Sequence, residues 1–166
     1  MEQNILIRPA RETDYPAMAG MLRTLASRFI VPGMPAEAAA TFLRDNDEAA
    51  LLAYRARGQV ASVAQIGDEL AGFIAVRPPS HVFHLFVAER WHRRGVARAL
   101  WRTACAQAAP AAVFTVNSSP YAVPAYEALG FRCDGALQCR NGVTFQPMTG
   151  CPCAQPVLDA PGGSHR

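Results

Sequence analysis

Lysine is missing from this chain: all 16 of its basic side chains are arginine. Self-modification at a lysine amine is thereby excluded. Charge of either sign is sparse, 17% of residues against 51% hydrophobic, a balance that argues for a compact protein and against disorder. The formal net charge of +3 is too small to demand nucleic acid as a partner. Apolar runs are short, none reaching the roughly 20 residues needed to cross a bilayer, so no membrane role is expected. Cysteines number five. An odd set at Cys105, Cys133, Cys139, Cys151 and Cys153, with no leader-like segment ahead of it, reads as reduced thiols in a cytoplasm. Repeats and low-complexity tracts are absent too. A chain of 166 residues is then expected to be one domain burying its own core.

What is present switches between strand and helix periods. Asn4 to Pro9, carrying Ile5 and Ile7, reads as a strand closed by Pro9. Thr13 and Asp14 offer an N-cap with Pro16 in the first turn, and Met18, Met21, Leu22, Leu25 and Phe29 recur at helical spacing as a core stripe. Ala36 to Leu43 and a stretch ending near Ala56 read as further helices, broken at Asp45-Asn46-Asp47. The period then drops to two: Val60 to Ile66 and Leu70 to Arg77 form a hairpin across Gly67-Asp68-Glu69, and His81 to Val87 follows as a central strand. A helix from Gly95 to Ala109 and a strand from Ala112 to Asn117 come next; this crossover predicts parallel pairing with the central strand. A last helix from Tyr121 to Leu129 ends at Gly130, and Asn141-Gly142 signals a type I′ hairpin between 132–140 and 143–148. From Gly150 the composition shifts to Cys, Pro and Gly, so a domain over 1–149 and a loose tail over 150–166 are expected. Cys151 and Cys153 with His165 are too few for a metal site, and none is expected.

One junction stands out. Between the strand ending at Val87 and the helix starting near Gly95, Arg93, Arg94 and Arg98 gather at a helix N-terminus, where free N–H groups and the macrodipole favour an anion. Gly95 at the tightest point leaves the backbone open to a diphosphate. Two histidines, His81 and His84, lie on the strand, and imidazole is the side chain suited to proton exchange near neutrality. Strand alternation sends them to opposite faces unless a bulge intervenes.

His92-Arg93-Arg94-Gly95-Val96-Ala97 resembles the cofactor motif of the GNAT N-acetyltransferase superfamily, Gln or Arg, two residues, Gly, one residue, Gly or Ala, with His in the first place. Leu85-x-Val87 stands at the family's spacing for the strand end that pairs with pantetheine. The segment Ser118 to Phe131 resembles a second hallmark of the family: Ala122, Tyr126, Glu127, Gly130 and Phe131 match in register, while Ser119 replaces the usual Asn and Asn117 lies two residues earlier. The resemblance covers Ile5 to Met148.

It implies a GNAT fold: an α/β (α+β) domain with a mixed sheet of about seven strands, two parallel central strands splayed apart, and about four flanking helices. Acetyl-CoA is the implied cosubstrate, with its diphosphate on Arg93, Arg94, Gly95, Val96, Ala97 and Arg98. His92 would stand near the phosphates. Leu85, Phe86 and Val87 would meet pantetheine, the Val87 N–H would polarise the thioester carbonyl, and Asn117 and Ser119 would bond pantetheine amides. Tyr126 is the implied general acid for the departing thiolate. A phenol stays protonated near neutrality while a thiol with a pKa of roughly 8.5 ionises. His81, with His84 as second choice, is the candidate base. The expected reaction is direct acetyl transfer to the primary amine of a small molecule or peptide in a ternary complex, since no cysteine is placed to form an acetyl-enzyme. The acceptor pocket is expected around Ile30 to Phe42 and Asn141 to Phe145, with Phe29, Phe42 and Phe145 making it partly apolar; a homodimer is compatible with the resemblance. A non-catalytic CoA-binding sensory domain of the same fold is the alternative, and a nucleic-acid-binding reading lacks interleaved exposed aromatics.

Overall fold

The computed structural model describes residues 3–110 and 112–151. Strand β1 (Leu6–Pro9) leads through a 3-10 turn (Glu12–Asp14) into α1 (Tyr15–Phe29), followed by α2 (Ala36–Arg44) and α3 (Glu48–Ala56). Then come β2 (Val60–Ile66), β3 (Glu69–Arg77), β4 (His81–Val87), a 3-10 turn (Glu89–Trp91) and α4 (Val96–Gln107). The chain continues through β5 (Phe114–Ser118), a 3-10 turn (Pro120–Ala122), α5 (Val123–Ala128), β6 (Arg132–Cys133), β7 (Gln138–Arg140) and β8 (Val143–Gly150). Among the described residues seven strands form one path, β1-β2-β3-β4-β5-β8-β6, and the eighth, β7, pairs with β8 off that path. All neighbours are antiparallel except β4 and β5. The parallel crossover, the GNAT-type mixed sheet and the type I′ turn all agree with expectation; Asn141 and Gly142 have φ of 53° and 78°, the positive pair that turn requires.

The sheet separates two apolar layers. On one face α1 and α3 bury Tyr15, Met18, Leu22, Ala26 and Leu51 against Val63 and Phe73, as the stripe on α1 predicts. On the other, Leu100, Trp101 and Ala104 of α4 pack with Phe114, Phe131 and Met148. Trp101 meets Phe114 edge-on at 4.7 Å between ring centres, a geometry worth about 0.5–1.5 kcal/mol beyond area burial.

Several local expectations are corrected. Asp14 does not cap α1: its carboxylate takes the Arg8 guanidinium at 2.7 and 2.9 Å and the Arg11 N–H at 2.7 Å, so a charged partner and a tight turn win over the cap. Asp47 is the side chain that caps, accepting from the Ala50 N–H at 2.9 Å into α3. The strand expected over 132–140 is two short pieces, because Gly135 turns left-handed at φ 88° between them. That accounts for eight strands. The described α-helices number five, as the periodicity reads them, against the about four that the resemblance implies. Gly150 lies in β8, paired with Phe114, rather than in a tail; residues 152–166, Cys153 and His165 among them, fall outside the described residues.

Two irregularities shape the middle of the sheet. Ala75 faces His84 while Val76 faces Val82, so Phe83 is an extra residue in β4. Strands β4 and β5 hold together at only two positions, His81 with Thr115 and Val82 with Val116. Past these the strands part, and a bulge, with its added twist, is the local device for such a divergence.

Candidate active site

At the end of β4 the chain passes through the 3-10 turn and enters α4 over two left-handed residues, Arg93 at φ 60° and Gly95 at φ 81°. Among the described residues no side chain caps α4, so the leading amides are left for something else to satisfy. A Cβ built on Gly95 meets nothing within 4 Å, which means the space before those amides is open. His92 fixes the turn: its Nε2–H donates to the Val87 carbonyl at 2.7 Å, a structural tie beside the open space. Arg93 and Arg98 line the open space, but Arg94 does not. Its guanidinium donates to Gln3 at 3.3 Å and lies 5.4 Å from the Trp91 ring centre, so this arginine is corrected to a surface role.

The free edge of β4 follows from its hydrogen bonds. Ala88 donates to the Ala71 carbonyl at 2.9 Å, and a Cβ on Gly72 would come within 2.7 Å of the Phe86 carbonyl oxygen. Both groups face β3. Alternation along the strand therefore turns the N–H and C=O of Leu85 and Val87 the other way, into the gap that β5 leaves. Phe86 is corrected here: its backbone faces β3, and it reaches the gap only through its ring.

The gap opens into two chambers. One, of about 750 Å³, runs from Arg93, Gly95 and Arg98 along Leu85 and Val87 to Tyr126. The other, of about 230 Å³, lies beyond, among Phe42, Asn46, His81, His84, Asn117 and Phe145. Ile30, Leu85, Phe86, Ser119, Ala122 and Tyr126 belong to both. Ile30, Phe42 and the 143–145 segment thus border the smaller chamber as the sequence predicts. Phe29 does not: it lines the larger one, stacked on Tyr121 at 4.4 Å and 9°.

Tyr126 is 7% exposed and is held by α5, whose Pro124 sits in the first turn. Its ring meets Phe131 edge-on at 5.4 Å. Burial pushes the phenol well above its ordinary pKa, so it stays protonated across the physiological range. Asn117 projects from β5 into the smaller chamber. Ser119 borders both, but its hydroxyl also accepts from the Ala122 N–H at 3.3 Å and caps the 3-10 turn.

The two histidines share a face after all. Because Phe83 is bulged out, the alternation slips by one, and His81 lines the same chamber as His84. His81 is half-buried, with Nδ1 2.7 Å from the Thr115 hydroxyl. Burial first, and the charge of Arg77 second, hold its pKa below the usual imidazole value. His84 is 5% exposed, and the same two causes push it down to about 3. Its Nε2 lies 2.8 Å from Asn46 Oδ1. Asn46 Nδ2 donates to the Phe42 carbonyl at 2.9 Å, which fixes the amide orientation and requires the proton on Nε2 of His84. Nδ1 is left as a buried acceptor without a partner. Asn46 was not singled out by the sequence, where it reads only as a helix breaker.

Among the described residues no cysteine borders either chamber, and no group of three or more His, Cys, Asp or Glu could hold a metal ion. Burial pushes the Cys105 thiol up to about 11.

A family model described as an acetyltransferase (GNAT) domain matches residues 30–150. A comparison with curated protein sequences finds no match. Among solved structures the chain is similar to a GCN5-related N-acetyltransferase from Rhodopseudomonas palustris, with a TM-score of 0.70 at 22% identity over 91% of this chain and 98% of that one. It is also similar to YjaB from Escherichia coli in its apo form, TM-score 0.66 at 19% identity over 89% and 97%. A third likeness is to the PaiA N-acetyltransferase of Thermoplasma acidophilum, solved in complex with coenzyme A, TM-score 0.67 at 14% identity over 89% and 99%.

Proposed function

Given that the chain belongs to the GNAT acetyltransferase family, we propose that it is an N-acetyltransferase carrying the acetyl group of acetyl-CoA to a primary amine of a small molecule or peptide, by direct attack in a ternary complex. The observation that carries this reading is the meeting of two chambers at Tyr126. The larger has the features acetyl-CoA needs: uncapped amides and an open left-handed Gly95 for a diphosphate, exposed Arg98 for a further phosphate, and, on the edge of β4, the N–H and C=O of Leu85 and the N–H of Val87 for pantetheine amides. Acetyl-CoA supplies an acetyl group activated as a thioester.

The chain's own residues do the rest. The Val87 N–H faces the gap and donates to the thioester carbonyl as negative charge builds there. The amine nitrogen forms the new C–N bond, the C–S bond breaks, and Tyr126 gives its proton to the departing thiolate. The apolar wall that raises the phenol raises a thiol beside it as well, so the two remain matched. His81 takes the proton the amine loses; it is the better placed histidine, since His84 is too weak a base at about 3. Asn117 bonds pantetheine from β5, with Ser119 helping where its cap leaves it free. Among the described residues no thiol borders the chambers, which favours one transfer over a covalent relay. No helix among the described residues is long and apolar enough to cross a membrane, and we assign the enzyme to the cytoplasm on its thiols.

Calorimetric titration with acetyl-CoA, CoA and dephospho-CoA tests the donor site. Micromolar binding that weakens without the ribose phosphate is expected. Tyr126→Phe should bind acetyl-CoA as the parent does yet lose turnover of an amine panel by about 10²-fold or more. Absence of binding to all three would overturn the proposal, and binding with no turnover of any amine would favour a CoA sensor.

A further inference from the structure

The smaller chamber carries a signature of its own occupant. Its walls are largely apolar and aromatic, with Phe42, Phe83 and Phe145 contributed by three separate elements. None of the described residues lining it is Asp or Glu. An ammonium group entering it loses water and finds no carboxylate, a costly combination. Two arginines stack on rings of its wall without lining it themselves. The Arg77 guanidinium lies 4.4 Å from the centre of the Phe83 ring and that of Arg140 5.6 Å from the Phe145 ring. Neither pairs with a carboxylate among the described residues.

Inside, one group waits for a donor. His84 is almost wholly buried and lines the chamber, with Nδ1 unpartnered while Nε2 is committed to Asn46. A buried acceptor left empty is destabilising, and an N–H from the acceptor amine removes that cost. The choice of group suits the chemistry. An imidazole locked in this tautomer takes an N–H and offers none from Nδ1, so the lone pair of the amine stays free for the thioester.

Size sets the body between the two ends. A cavity of roughly 150 Å³ holds benzene, so a chamber of about 230 Å³ holds one ring with a short arm. We infer that the acceptor is a monoamine on a single flat apolar body, its amine beside Tyr126 with an N–H on Nδ1 of His84, and its far end a carboxylate received by Arg77 and Arg140. Polyamines and other acceptors with a second positive charge are excluded by the same two arginines. This rests on the acetyltransferase reading and narrows it.

Three probes of one shape and similar basicity at the reacting amine test it: 4-(aminomethyl)benzoate, benzylamine and 1,4-bis(aminomethyl)benzene. They place a carboxylate, a hydrogen or an ammonium at the far end. With acetyl-CoA binding first established by calorimetry, kcat/KM should fall in that order, with at least tenfold between the first and the last. In Arg77→Gln and Arg140→Gln the ratio of the carboxylate probe to benzylamine, read within each variant, should shrink through KM. A diamine that matches or beats the carboxylate probe overturns the inference. Three silent probes on a protein that binds acetyl-CoA also overturn it while leaving acetyl transfer standing, whereas failure to bind acetyl-CoA strikes the acetyltransferase reading itself.

Discussion

The two chambers are built from different material. The larger is mainly backbone: amides at the start of α4, a left-handed glycine, and the free edge of β4. The smaller is mainly side chains, brought from α2, from the loop before α3, from β4, from β5 and from the β7–β8 hairpin. A backbone site is defined by a short run of sequence, because the chain makes it wherever it turns that way. A side-chain site needs the whole fold before its members meet. The donor end is therefore local and tolerant of most substitutions, while the acceptor end is global and open to change.

Substitutions aimed at one end should leave the other intact. The largest effect is expected from Gly142→Val. A Cβ there would sit 2.6 Å from the Cβ of Ala38, and Gly142 is left-handed at φ 78°. Crowding of about 1–3 kcal/mol adds to left-handed strain of about 1–2 kcal/mol, pushing the hairpin off α2. KM for the acceptor should rise at least tenfold while calorimetric affinity for acetyl-CoA holds. Gly95→Ala is the mirror experiment. With open space around it, it incurs only the left-handed strain, about 1–2 kcal/mol, so acetyl-CoA should bind roughly tenfold more weakly and acceptor KM should barely move.

Another effect concerns pH and stability. The unfolded chain protonates His84 near 6.5, whereas the folded chain does so only near 3. Above pH 6.5 neither state is favoured by this group. Between those values the unfolded state binds the extra proton, so stability declines on acidification by at most roughly 1.4 kcal/mol per pH unit from this site. Urea midpoints at pH 6.5 and 4.5 would show it, and His84→Gln should flatten the difference; an unchanged slope would disprove a buried neutral imidazole. Least of all should follow from Glu89→Gln. The exposed pair of Arg28 with Glu89 at 2.5 Å joins α1 to the turn before α4, yet exposed pairs contribute under about 1 kcal/mol, so both chambers should behave as in the parent.

The same contrast explains what the sequence could tell. The α4 entry, the parallel β4–β5 crossover and the Asn141-Gly142 turn are written in adjacent residues, and each was legible. Tyr126 was legible only through a motif, for periodicity alone makes it a core tyrosine, and it is one as well. Arg94 was misplaced because its neighbours in sequence line the cleft while its own side chain leaves for Gln3 and Trp91. Phe86 was misplaced because the parity of β4 toward β3 is fixed by long-range bonds. Asn46, Phe83 and Arg77 carried no signal: one reads as a breaker, one as core, one as a strand end. Asn46 takes its meaning from His84, 38 residues away, and Arg77 and Phe83 take theirs from the turn that stacks one on the other.

The bulge at Phe83 makes residue count itself a functional variable. Side chains in a strand alternate with a period of two, so removing one residue from a regular stretch exchanges the faces of everything on one side of the cut. Phe83 is the residue in excess, and its loss would do the reverse: His84 still faces Ala75, Val82 still faces Val76, and His81 and His84 stay on one face. A one-codon deletion there should straighten β4, take one aromatic wall from the smaller chamber and leave both histidines in it.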